Sequence, residues 1–207
     1  MVVIGAKGLA KELLYVLHQN EQVENLLFFD NLNPEITGYL YERFKILKSW
    51  DELQNCFKTD ADFLIGVGGA KARKLISEKV QLLGGNLCSL ISNTAQVGYY
   101  GNFIGRGVCI LSQAMVTSDV TIGEGTLINK AAIISHDAKI GQYCEISPGA
   151  KLLGRTTVGD FTEIGTNAVI LPDVIIGSNC KVGAGAVVTK NVPDNTTVIG
   201  VPARLNN

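Results

Sequence analysis

The chain has 207 residues, with 18 Lys and Arg against 19 Asp and Glu and a formal net charge of −1. That balance, with no basic stripe, argues against a nucleic-acid binder, which needs clustered positive charge to meet phosphates. No apolar run reaches the ~18 residues of a membrane span and no charged-then-apolar leader opens the chain, so a soluble, cytoplasmic protein is expected.

In chain order, Val2 to Ile4 make a short apolar strand, followed by Gly5-Ala6-Lys7-Gly8 and a helical pattern from Leu9 to about Gln19. Its apolar face is Leu13, Leu14, Val16 and Leu17, with His18 turned to solvent or capping the end. Strand, glycine turn and helix are the opening of a nucleotide-binding α/β unit, because the turn leaves free N–H groups for a phosphate. Two glycines are weaker than the full GxGxxG pattern, and a plain tight turn also accounts for them. A second strand, Leu26 to Phe29, ends at Asp30-Asn31, where an acidic side chain takes a sugar hydroxyl or caps a turn. Gly38 to Leu47 reads as an irregular strand pair, Asp51 to Phe57 as a short helix, and Phe63 to Val67 as a third strand ending in Gly68-Gly69. The helix from Ala70 to Leu83 carries Lys71, Arg73 and Lys74 on one turn, a pattern that usually marks a solvated face and can also meet an anion. Leu87 to Ile91 is a fourth strand. The alternation predicts a small parallel sheet in a first, Rossmann-like α/β domain over residues 1–93.

From Ile104 to Val188 every sixth residue is aliphatic, fifteen in all without an insertion, and the residue two places before each is almost always small. A fixed hexapeptide period predicts a parallel β-helix over 94–207, each unit one short strand and one corner. Gly105, Gly123, Gly141, Gly159 and Gly177 recur every eighteen residues, so three units make one turn of a triangular prism. Glycine there is expected to supply a backbone conformation that other residues adopt at a cost. Cys144 and Cys180 lie on the small inward track, and five cysteines without a CxxC do not make a disulfide framework. Val97 to Ile104 is seven residues instead of six, a slip at Tyr99-Tyr100. After Val188 the repeat stops, and the tail through Gly200-Val201-Pro202-Ala203 is expected to cover the last coil, whose open edge would otherwise be exposed.

The chemistry should lie where the pattern breaks. His136 is the only histidine in the repeat and sits two residues past an inward aliphatic, at a corner. Imidazole suits general-base work near neutral pH, and Asp137 can orient it if the corner bends. A surface histidine without a role fits the same residues. Gly154, eighteen residues on, would leave an accessible N–H beside His136 for an oxygen that gains charge. Gly165-Thr166 and Gly183-Ala184-Gly185 would form a smooth groove. One histidine per prism is too few for a three-histidine zinc site of carbonic-anhydrase type, so no metal is expected. A nucleotidyltransferase would need a richer basic glycine loop.

Together, Ile4-Gly5-Ala6-Lys7-Gly8, Phe28-Phe29-Asp30, Asp62-Phe63-Leu64-Ile65-Gly66-Val67-Gly68, Ser135-His136-Asp137, Ile146-Ser147-Pro148-Gly149-Ala150-Lys151-Leu152-Leu153-Gly154 and Gly200-Val201-Pro202-Ala203 give a resemblance over essentially the whole chain. The chain resembles the bacterial sugar O- and N-acetyltransferases that pair a small α/β domain with a left-handed β-helix, of the sialic acid, perosamine and bacillosamine-pathway type. The left hand is implied by this resemblance alone. So is acetyl-CoA-dependent N-acetylation of a nucleotide-linked amino sugar of the 4-amino-4,6-dideoxy-hexose type, with O-acetylation of a sugar such as sialic acid as the alternative. His136 would be the base, Asp137 its tuner, and Asn129 would lie near the acceptor. Lys7, Gly8, Leu9, Asp30, Asn31 and Gly68 would hold the nucleotide sugar. Glu145, Gly154, Thr166 and Ala184 would lie along acetyl-CoA, in a homotrimer with sites between prisms. Two positions depart from the family: Gly8-Leu9-Ala10 stands where it has Gly-His-Gly, and Glu145 where it often has a cofactor-contacting histidine.

Overall fold

The computed structural model describes residues 1–206. The first domain runs β1 (Val2–Ile4), α1 (Gly8–Gln19), β2 (Leu27–Phe29), β3 (Tyr39–Leu40), β4 (Phe44–Leu47), α2 (Trp50–Cys56), β5 (Asp62–Ile65), α3 (Ala70–Leu82) and β6 (Asn86–Leu87). Its sheet has the order β3-β4-β2-β1-β5-β6, parallel except where β3 meets β4. Side chains alternate across a strand. Val3, Phe28 and Leu64 therefore pack with Leu13, Leu14 and Leu17 of α1, while Val2, Ile4, Phe29 and Phe63 pack with Leu53 of α2 and Val80 of α3. Ser49 opens α2 with a capping box: its hydroxyl accepts from Glu52 N, and Glu52 accepts from Ser49 N.

The expected strand Leu87 to Ile91 is split. Asn86–Leu87 pairs with β5, whereas Leu90–Ile91 pairs with Cys109–Ile110 and is the first strand of the prism. From there, two-residue strands build three faces: Leu90–Ile91 and Gln96–Val97 pair in parallel with strands nineteen residues on, across the slip at Tyr99-Tyr100, and from Phe103 to Val188 the offset is eighteen, as in Ile128↔Ile146 and Ile134↔Leu152. The helix is left-handed and parallel. Fourteen of the fifteen aliphatics are buried, the exception being Ile104 in the first coil, and the small track from Val108 to Ala186 is buried beside them. Three facing side chains fill one coil, so the residue at each narrow corner must be small.

The recurring glycines have a different cause from the one expected. Gly105, Gly123, Gly141, Gly159 and Gly177 do not have positive φ. A Cβ on Gly123 would instead lie 2.5 Å from Gly141 C and 2.6 Å from Gln142 N of the next coil, so the glycine is there for close approach between coils. The left-handed conformation falls two residues later at each corner: Gly125, Tyr143, Phe161 and Asn179 at one, Ala131, Gly149, Asn167 and Gly185 at another, and Asp119, Asp137, Arg155 and Asp173 at the third. The tail does more than cover the end. Thr197–Ile199 adds a parallel strand against Lys181–Val182, and Arg204–Leu205 folds back antiparallel on it. Val192 and Val198 join the prism core.

The two domains share a core. On the first face the outward residues Leu90, Cys109 and Leu127 are buried against the α1 side of the sheet. Further along the same face the outward residues are Glu145, Glu163 and Lys181. The first domain is thus fixed on the early coils of one face.

Candidate functional site

His136 stands at the corner between the second and third faces, in register with Ser118 before it and Gly154 after it. Asp137 takes φ +60 there, a conformation that Asp tolerates better than most residues. The bend brings neighbours together that would point apart on a straight strand: His136 Nδ1 lies 2.7 Å from Asp137 Oδ2. With Nδ1–H donating to the carboxylate, Nε2 is left with a free lone pair, and the side chains are about half exposed, 55% and 54%. The imidazole is thus held in one orientation by its neighbour and is about half open to solvent. Gly154 is directly beneath it, because a Cβ there would lie 2.5 Å from His136 Cε1 and 2.6 Å from Nε2. The residue is itself buried under the imidazole, so its N–H is covered in this chain, contrary to the accessible group expected. Next to this column Arg155 grips Asp173 in a bidentate pair at 2.6 and 2.9 Å. The hydrogen bonds push the Arg155 pKa up and hold the Asp173 carboxyl below its usual range.

The other candidates fall elsewhere. Asn129, Thr166 and Ala184 lie along the corner between the first and second faces. Asn129 Oδ1 accepts from Lys130 N at 2.9 Å, and Lys130 in turn pairs with Glu12 of α1 at 2.8 Å. Lys7, Gly8 and Leu9 are at the start of α1, with Lys7 paired to Glu35 at 2.9 Å. Asp30 is buried and accepts from Leu32 N, Asn33 N and the Asn33 side chain, so it closes its own turn, while Asn31 is exposed. Gly68 is exposed at the end of the loop after β5. Glu145 meets this loop: its Oε2 accepts from Gly69 N at 3.1 Å across the domain boundary. Gly69, Glu145, Ser147, Glu163, Gly165 and Gly183 line part of a groove of about 360 Å³ that continues toward Thr197.

Arg73, expected on a solvated face with Lys71 and Lys74, is fully buried. It bridges the loop after β5 to the prism through Gly125 O at 2.8 Å. Nothing in a Lys-Ala-Arg-Lys run distinguishes it, since the prism that covers it is 52 residues away. Among the described residues no helix is long and apolar enough to cross a membrane.

Comparison with known proteins joins the two halves. Residues 1–80 match the PglD N-terminal domain family, and 119–154 and 155–190 match the bacterial transferase hexapeptide repeat. No curated protein matches by sequence. Among solved structures, perosamine N-acetyltransferase from Caulobacter crescentus, in histidine-substituted form with CoA and GDP-perosamine, is 26% identical over 100% of this chain and 96% of its own, at TM-score 0.92. The acetyltransferase domain of PglB from Neisseria gonorrhoeae is 29% identical over 99% and 98%, at 0.88. WeeI from Acinetobacter baumannii is 29% identical over 99% and 98%, at 0.90. With both family models in place on one fold, the chain joins a PglD-type N-terminal domain to bacterial transferase hexapeptide repeats and is an acetyltransferase.

Proposed function

We propose that this acetyltransferase moves an acetyl group from acetyl-CoA to the amine of a nucleotide-linked amino sugar, with His136 as general base. The observation that carries this is the His136–Asp137 pair at an open corner, Nδ1 held at 2.7 Å and Nε2 free. The acceptor amine attacks the thioester carbonyl, the N–C bond forms and the C–S bond breaks. His136 Nε2 takes the amine proton and can return it to the leaving sulfur. Asp137 keeps the proton on Nδ1 and stabilises the imidazolium. The CoA and GDP-perosamine complexes of the Caulobacter enzyme support this class of donor and acceptor.

The geometry favours a site shared between copies. The first domain covers the first face, and His136 is at the corner farthest around the prism, between the other two. A sugar held at Lys7, Gly8, Asn31 and Gly68 would meet the His136 of a neighbouring prism in a homotrimer. Asn129, Thr166 and Ala184 would lie along the ligand groove. Asp30 would set the turn that presents Asn31.

A thiol-release assay with acetyl-CoA tests the reading against UDP-, GDP- and dTDP-linked 4-amino-sugars and free sialic acid. Turnover with one nucleotide amino sugar is expected. Turnover only with a sugar hydroxyl would replace N- by O-acetylation, and silence across the panel would remove the assignment.

A further inference from the structure

Arg73 is 0% exposed, yet no carboxylate pairs with it among the described residues. Its partners are carbonyls. Nη1 donates to Ile65 O at 3.2 Å and Val67 O at 3.1 Å, Nη2 donates to Gly125 O at 2.8 Å, and Nε has no partner. Burying a charge without a counter-ion is costly, and a methionine would fill the same volume without that cost. Burial pushes the guanidinium pKa down, but arginine starts so high that it stays charged at neutral pH. Packing alone therefore does not explain the residue.

Its effect falls on the loop after β5. The carbonyls of Ile65 and Val67 are turned toward Arg73, while Gly66 N donates to Ile4 O and Gly69 N to Glu145. The N–H groups of Val67 and Gly68 between them have no partner among the described residues. Gly69 then opens α3 at φ +83, with no side-chain cap and no acidic residue in the first turn. The free N–H groups of Val67 and Gly68 and the buried cation behind them favour negative charge beside the helix start, where Glu145 already accepts from Gly69 N.

We propose that Arg73 is a positioning residue for the anionic part of the nucleotide sugar. It draws two loop carbonyls inward, leaves the intervening N–H groups free for phosphate oxygens, and keys the loop to the prism at Gly125. This rests on the reading that the first domain holds the nucleotide sugar. Lysine cannot replace it, because one ammonium cannot span three carbonyls in two domains as a planar fork does.

R73K and R73Q test this beside the wild type, by steady-state kinetics and by backbone hydrogen exchange of the ligand-free protein. In R73K, KM for the nucleotide amino sugar should rise roughly tenfold or more, while kcat and KM for acetyl-CoA change less than about threefold. Exchange over residues 65–69 should be faster in both variants. A reduced active fraction with both KM values unchanged would reveal a purely structural role and overturn the proposal, as would unchanged loop exchange. If the wild type acetylates no nucleotide amino sugar, the functional reading fails by itself, and loop exchange alone then decides whether Arg73 holds the loop. Should one variant not fold, the other carries the comparison.

Discussion

His136 and Gly154 form a pair in which one residue's missing side chain makes room for the other's ring. His136→Ala is expected to lower kcat by about 10²–10⁴ while leaving the melting temperature unchanged, since its side chain is 55% exposed. Undiminished turnover would remove it as the base. Gly154→Ala is the sharper probe. The backbone there has no positive φ, so alanine is conformationally allowed, but its Cβ would lie 2.5 Å from His136 Cε1. The ring must swing, so activity should fall by at least about tenfold with little loss of stability. A fully active G154A enzyme would show that ring placement is not critical.

At the scale of elements, the prism depends on how closely its coils approach. Gly123→Ala places a Cβ 2.5 Å from the backbone of the next coil, and should cost about 1–3 kcal/mol or more in denaturant unfolding. The same change at an exposed non-glycine corner should cost little. The α2 capping box gives a pH-dependent test. Backbone N–H groups of Lys48 and Ser49 hold Glu52 below its ordinary value of 4.5. The cap is therefore at full strength above pH 4.5 and is lost as pH falls through the lowered value. Glu52→Ala should destabilise by about 0.3–1.5 kcal/mol near neutral pH, with a gap that narrows on acidification. A gap independent of pH would mean that Glu52 is not part of the cap.

For the whole molecule, a site shared between copies makes complementation the direct measurement. His136→Ala carries a lesion on the prism, and a bulky substitution at exposed Gly68 carries one in the first domain. Each variant alone should be nearly inactive. Co-refolded mixtures should recover a substantial share of wild-type turnover, because some sites receive both intact halves. No recovery would place the whole site within one chain.

Different amounts of this were legible in the sequence, for physical reasons that can be traced to particular residues. The hexapeptide track from Ile104 to Val188 was readable because a solenoid stacks each unit on its sequence neighbours at a fixed offset, so local spacing carries the fold. The His136–Asp137 contact was readable for the same reason: both residues sit on one corner. The glycine column was visible, but its cause was not, because close approach depends on the coil above and φ on the turn itself. Arg73 was unreadable. Its burial comes with the prism at Gly125, far along the chain, and a basic helical turn looks the same with or without a prism against it. Asp30 read equally as a sugar ligand or a turn cap, and the structure shows it closing a turn with Asn33. The sequence by itself determined the repeat, most of the order of strands and helices, and the corner that bears His136, because these follow from short-range periodicity. Only the tertiary structure decided which prism face the first domain covers, that Glu145 ties to Gly69, and that a buried arginine joins the two halves, because those contacts form between segments whose spacing in the chain encodes nothing about their meeting.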